Sequence, residues 1–156
     1  MVAAIVDTLV DADPENAQTY NDNGQALAAR LTELEAQINE TVAPARGQPF
    51  FVFHDAYHYF EARFGIEATG TFTVNPEVSP GAARLSEIRA TLDAYEAVCV
   101  FAEPQFSPAL VDTIADGTSA RQGVLDPLGA EIADGPDLYF EMMETLADNL
   151  VSCLAP

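Results

Sequence analysis

The hydrophobic pattern changes period several times along the chain, and each change marks an element. Met1 to Val10 (MVAAIVDTLV) is apolar but interrupted by Asp7, which predicts a short amphipathic helix. Asp13-Pro14-Glu15 sets a capping residue, a first-turn proline and an acid in order, so a second helix is expected to begin there. Its apolar positions fall at Tyr20, Gly24, Leu27, Leu31, Leu34, Ile38 and Val42, a narrow seam in steps of four and three. With Pro44 and Gly47 closing it, this helix should run about 28 residues, or roughly 42 Å. A lobe of about 110 residues has a radius of gyration of about 13 Å. The helix is thus expected to outreach the lobe that follows it, leaving Tyr20, Leu27 and Leu31 partly bare.

Beyond Gly47 the pattern alternates. Pro49 to Phe53 is a continuous apolar run of strand character, and a short helix to Phe64 follows it, stopped by Gly65. Ile66 to Val74 looks extended. Ser79-Pro80-Gly81 opens a helix with Leu85, Ile88 and Leu92 on one face, and Ala97 to Phe101 (AVCVF) is a second fully apolar strand. Glu103-Pro104 breaks that strand, and Ser107-Pro108 leads into a helix through Leu110, Val111 and Ile114. Arg121 to Leu125 is a fourth strand candidate, cut by Asp126-Pro127. A last helix from Asp137 carries Leu138, Met142, Leu146 and Leu150. Strand alternating with helix predicts an α/β fold, a four-stranded parallel sheet flanked by helices and preceded by the long helix.

Composition narrows the partners. The 156 residues hold 6 basic and 25 acidic side chains, a net charge of −19, and every basic residue is an arginine. Nucleic acid is excluded as a partner, because phosphate binding needs clustered cations that this surface lacks. The acidity reads first as a solvated surface. No apolar run reaches the 18 or so residues of a membrane span. The amino-terminal segment has no basic stretch and so does not read as a signal peptide. Cys99 and Cys153 are the two cysteines. Their spacing is equally compatible with buried thiols and with a disulfide.

If the four strands are parallel, the residues just past each one share the sheet's carboxyl edge, where open α/β folds bind ligands. Those residues are His54-Asp55, the segment Thr73 to Glu77, Glu103 and Asp126. An imidazole with two or three carboxylates suits a divalent metal, since zinc accepts nitrogen and oxygen ligands from separate loops. A hydrogen-bonded histidine among ordinary solvated acids is the alternative. His58 lies four residues after His54 and would chelate with it only if a helix began at once. HDAYH lacks the glutamate of the HExxH proteases, so His58 is the weaker candidate. No Gly-rich phosphate loop, GxSxG elbow or CxxC occurs, which leaves nucleotide hydrolysis, serine hydrolysis and thioredoxin chemistry without a foothold.

FVFHDAYHYFEARFG, GTFTVNPEVSPGAARLSEIRATL, CVFAEPQF and GTSARQGVLDPLG, in that order and followed by a terminal cysteine, resemble the C-terminal lobe of the periplasmic zinc-binding proteins that serve ABC importers. The resemblance runs from Asp13 to Cys153. It implies one lobe of a two-lobe metal-binding protein, with zinc, or manganese in close relatives, held between the lobes. Position by position, it makes His54 and Asp126 metal ligands and Cys99 and Cys153 a disulfide pair. It also makes residues 1–12 the tail of the N-terminal lobe's last helix, residues 13–43 the linking helix and residues 48–156 the C-terminal α/β lobe. The N-terminal lobe and its other two histidine ligands are absent from the sequence.

The expected function is therefore zinc capture and delivery to an ABC importer permease in the periplasm, without catalysis. Self-association through the bare helix seam is expected as well. Two alternatives stand beside this. One is a small metal-dependent hydrolase with Glu103 as general base beside a metal on His54 and Asp126; the other is a nonbinding structural fragment.

Overall fold

The computed structural model describes residues 1–72, 81–107 and 109–155. The chain divides into two compact units, Met1–Gln37 and Ile38–Pro156. In the first, α1 (Val2–Ala12) leads through a 3-10 turn, Pro14–Asn16, into α2, which spans Ala17–Thr41. Val2, Val6 and Val10 form the half-buried stripe of α1. A Cβ on Gly24 would stand 2.4 Å from Val6 Cγ2, so the glycine is what lets α1 and α2 approach so closely. The proline starts a 3-10 turn before the α-helix proper, and α2 is therefore 25 residues long, shorter than the sequence predicts. Asp13 does not cap backbone N–H groups with its side chain. Its carboxylate instead accepts hydrogen bonds from Asn16 (2.8 Å) and the Tyr20 hydroxyl (2.9 Å). Along α2 the seam fills in as expected: Tyr20, Gly24 and Leu31 are half-buried, Leu27 is 39% exposed, and Leu34 is buried.

The second unit is built on β1 (Phe50–Val52), β2 (Gly70–Thr71), β3 (Cys99–Ala102) and β4 (Arg121–Val124). They form a parallel sheet in the order β2-β1-β3-β4. Strand residues alternate between faces. Phe51, Phe53 and Val100 join a core with Ile88 and Leu92 of α4 (Ala82–Ala94) and Val111 and Ile114 of α5 (Ala109–Ala115). Cys99 and Phe101 point the other way, where Cys99 is bonded to Cys153 of α6 (Leu138–Leu154) and Phe50 meets Phe101 edge-on at 5.8 Å. A sheet covered on both faces needs apolar strands throughout, and β1 and β3 are buried accordingly. β4 differs: its residues are exposed or half-buried, as an edge strand permits. Gly123 within it lets the Phe101 ring lie close, since a Cβ there would fall 2.5 Å from Phe101 Cε1.

Between β1 and β2, α3 (His58–Phe64) packs Phe60 against Phe64 and ends where predicted, at Gly65 in the left-handed conformation with φ 68°. α6 turns its buried side a little from the predicted one. Leu146 and Leu150 are covered together with Phe140, Ala147 and Leu154, while Leu138 and Met142 are half-buried beside the loop at Gly129. Arg121 donates to the Cys153 carbonyl and so supports the same helix on the sheet.

The disulfide joins residues 54 apart in sequence, and closing a loop of that length costs the unfolded chain entropy worth about 4 kcal/mol. Replacing both cysteines by alanine should lower the urea midpoint by that order of stability while leaving the circular dichroism spectrum native. Thiol titration of the denatured, unreduced chain should find no free thiol.

Candidate metal centre

Parallel pairing decides which residues meet at the carboxyl edge. Val52 is level with Phe101, and Ala102 with Val124. Two residues on, His54 and Glu103 come level and touch: His54 Nδ1 lies 2.6 Å from Glu103 Oε1, across 49 residues of sequence. The imidazole is 28% exposed while the glutamate side chain is only 1% exposed. Phe106 stacks on Phe53 at 4.9 Å, and both rings stand edge-on to the imidazole, so aromatic walls limit its rotation. Among the described residues, Glu103 is the buried acid of this lobe. Burial pushes its carboxyl up from the usual carboxylate range, while hydrogen bonds and charge from His54, and the nearby Tyr57 hydroxyl, pull the other way.

Tyr57 closes the group from below. Its hydroxyl is buried and donates to the Leu125 carbonyl at 3.2 Å, tying the turn after β1 to the end of β4. Burial first, then the charge of Glu103 and that of Asp126, hold the phenol strongly protonated, so it remains a donor.

Asp126, half-buried after β4, is organised by its own loop. Oδ1 accepts from Gln105 Nε2 (2.6 Å), Leu128 N (3.0 Å) and Gly129 N (3.0 Å), and Oδ2 accepts from Ala130 N (2.6 Å). Burial raises its carboxyl, but these four donors outweigh it and hold it below the ordinary aspartate value. Crowding is on Oδ1, so Oδ2 keeps the lone pair that can turn outward.

His54, Glu103 and Asp126 thus each follow a strand at the sheet's carboxyl edge, and the loop after β3 reaches both of the outer ones: Glu103 and Phe106 contact His54, and Gln105 contacts Asp126. Asp55 is exposed. Thr73 to Glu77 lies outside the described residues. His58 is set apart: α3 begins at His58 itself, so His54 and His58 are not one turn apart on a helix, and His58 is exposed beside Glu61 and Glu67. Gln105, Phe106 and Tyr57 were not legible as site residues. Counting past the ends of the predicted strands, Phe53 and Phe101, would have set Glu103 level with Asp55; the observed register, with Val52 level with Phe101, is what pairs it with His54, and nothing in the sequence marks Gln105. Its Oε1 is buried without a hydrogen-bond partner. No group of three His, Cys, Asp or Glu gathers at metal-binding spacing among the described residues.

The family described as ZnuA, zinc-uptake complex component A, periplasmic, matches residues 1–153. The high-affinity zinc uptake system protein ZnuA of Brucella suis is 50% identical over 155 residues, covering 99% of this chain and 46% of that protein. The Yersinia pestis protein of the same name is 46% identical over 151 residues, covering 97% and 48%. The chain thus spans about half the length of the curated relatives it matches. Among solved structures, a crystal structure of ZnuA aligns with TM-score 0.81 at 25% identity, covering 98% of this chain and 56% of that one. The SBP FpvC of Pseudomonas aeruginosa in complex with Mn2+ aligns with TM-score 0.78 at 26% identity, covering 96% and 57%. The relatives are transport proteins and not enzymes. Glu103, buried against His54, is also badly placed for the general base that a hydrolase would need.

The four donors on Asp126 give a pH-dependent expectation. A depressed carboxyl contributes stability that is complete above its unfolded value and is lost as pH falls through its folded one. Asp126→Asn turns an NH2 group toward N–H donors and should cost about 1–3 kcal/mol at neutral pH. The gap from the parent should close as pH falls below about 4. Urea midpoints of both proteins across that range measure it; a gap that persists unchanged in acid would show that the carboxylate charge is not what holds the loop.

Proposed function

We propose, from the premise that this chain belongs to the ZnuA family of periplasmic zinc-uptake components, that it carries part of a zinc-capture site made of His54 and Asp126. What supports this most is that His54 and Asp126 each follow a strand of the same parallel sheet and are each restrained by the loop after β3, in a chain whose relatives are named for zinc uptake. Zinc takes four ligands in such closed sites, and its borderline softness suits imidazole nitrogen beside carboxylate oxygen. Manganese, with its preference for oxygen, is the second cargo to test. Capture exchanges the ion's water for Nε2 of His54 and an oxygen of Asp126. The remaining ligands come from outside the described residues. In this reading residues 1–12 end a preceding lobe, residues 13–43 link the lobes, residues 48–156 are the C-terminal lobe, and the loaded protein hands its ion to an ABC importer permease in the periplasm.

Two ligands make a weak site, because the other positions stay with water and neither ligand is pressed by a second wall. The chain alone should bind zinc no more tightly than micromolar, on the order of −8 kcal/mol. Affinity should drop as the solution is acidified, since an imidazole must release its proton to ligate. The titration belongs on sedimentation-verified monomer, since Ile5, Leu9 and Leu27 are 53%, 40% and 39% exposed and offer an apolar face for self-association. Calorimetry should show binding lost in His54→Ala and in Asp126→Ala and kept in His58→Ala. Submicromolar affinity in the monomer, or equal losses at His54 and His58, would overturn the assignment.

A further inference from the structure

Of the two nitrogens of His54, one is already engaged. Nδ1 sits 2.6 Å from an oxygen of a carboxylate whose side chain is 1% exposed, a short contact of the charge-assisted kind. Burying an acid costs several kcal/mol unless its oxygens find partners. Glu103 finds His54. Phe53 and Phe106 stand edge-on beside the ring, at 6.5 and 6.0 Å between centroids. The half-exposed part of the imidazole is left to Nε2.

We propose that Glu103 is a positioning residue for ion capture: it accepts the Nδ1 proton of His54 and thereby presents the Nε2 lone pair to the incoming metal. The inference rests on the reading of His54 as a zinc ligand. It adds that the affinity of the site is set partly by a residue that never touches the ion. A histidine that keeps its proton on Nε2 must lose it, or change tautomer, before it can ligate through that atom. A buried carboxylate on Nδ1 removes that step, fixes the ring's direction and raises the basicity of the ligating nitrogen.

The test separates positioning from mere structure. Long-range proton–nitrogen spectra of the metal-free chain, under mildly alkaline conditions, should place the His54 proton on Nδ1. Glu103→Gln keeps an acceptor oxygen and should keep that tautomer, whereas Glu103→Leu should move the proton wholly or partly to Nε2. Zinc calorimetry on the same proteins should show a loss of about 10- to 100-fold for the leucine variant and a smaller one for the glutamine variant, with native circular dichroism. A proton on Nε2 in the parent, or the same tautomer and zinc affinity in all three proteins, would overturn the proposal. Should the leucine variant fail to fold, the parent and the glutamine variant decide it by the same spectra. A parent chain that takes up no zinc overturns the proposed function instead, and the spectra, which need no metal, still decide the role of Glu103.

Discussion

The constraint on which the second unit depends is the parallel register of β1 and β3. These are its two central strands, both buried, and once Phe51 is level with Val100 every other alignment follows. One face must then take Phe51, Phe53 and Val100, and α4 and α5 cover it; Cys99 and Phe101 fall on the other face, toward α6. The same register carries past the strand ends to bring His54 beside Glu103. A slip of one residue would exchange the two faces of a strand and also separate the histidine from its acid. Packing and chemistry therefore share one determinant, and the disulfide from Cys99 to Cys153 is anchored on the same strand.

At the carboxyl edge the energetics run against burial and in favour of geometry. Glu103 is kept from water although isolated carboxylates are costly to bury, and its partner, His54, belongs to the turn after β1. Asp126 uses the opposite solution. It stays half-exposed and ionised, held by three backbone N–H groups of its own loop and by the amide of Gln105. Both acids are thus restrained, and the short loop after β3 contacts both. On the proposed reading, such prior restraint would lower the ordering cost of ion capture.

The fold was legible because its signals are local. Apolar runs at Pro49 to Phe53 and Ala97 to Phe101 suit strands buried on both faces, and Gly65 stops α3 where a left-handed residue is required. Two features were read differently from sequence. Pro14 opens a 3-10 turn rather than α2 itself, and Leu138 and Met142 of α6 are only half-buried; His58, the weaker candidate from sequence, is exposed at the start of α3. Each depends on where a segment sits rather than on what it contains. The resemblance in FHDAY and LDPLG pointed to His54 and Asp126 as candidates, and the cysteine pairing it implied is present in the structure. The supporting roles of Glu103, Gln105, Phe106 and Tyr57 were hidden, because desolvation of one acid among 25 is decided by cross-strand neighbours and leaves no periodic trace.

X-ray absorption at the zinc edge, on the zinc-loaded monomer, addresses the central claim most directly. The account predicts a first shell containing one imidazole, with the remaining positions filled by oxygen at about 2.0–2.2 Å, and loss of the imidazole signature in His54→Ala. A shell with two imidazoles per zinc, or one that keeps its imidazole when His54 is removed, would contradict it.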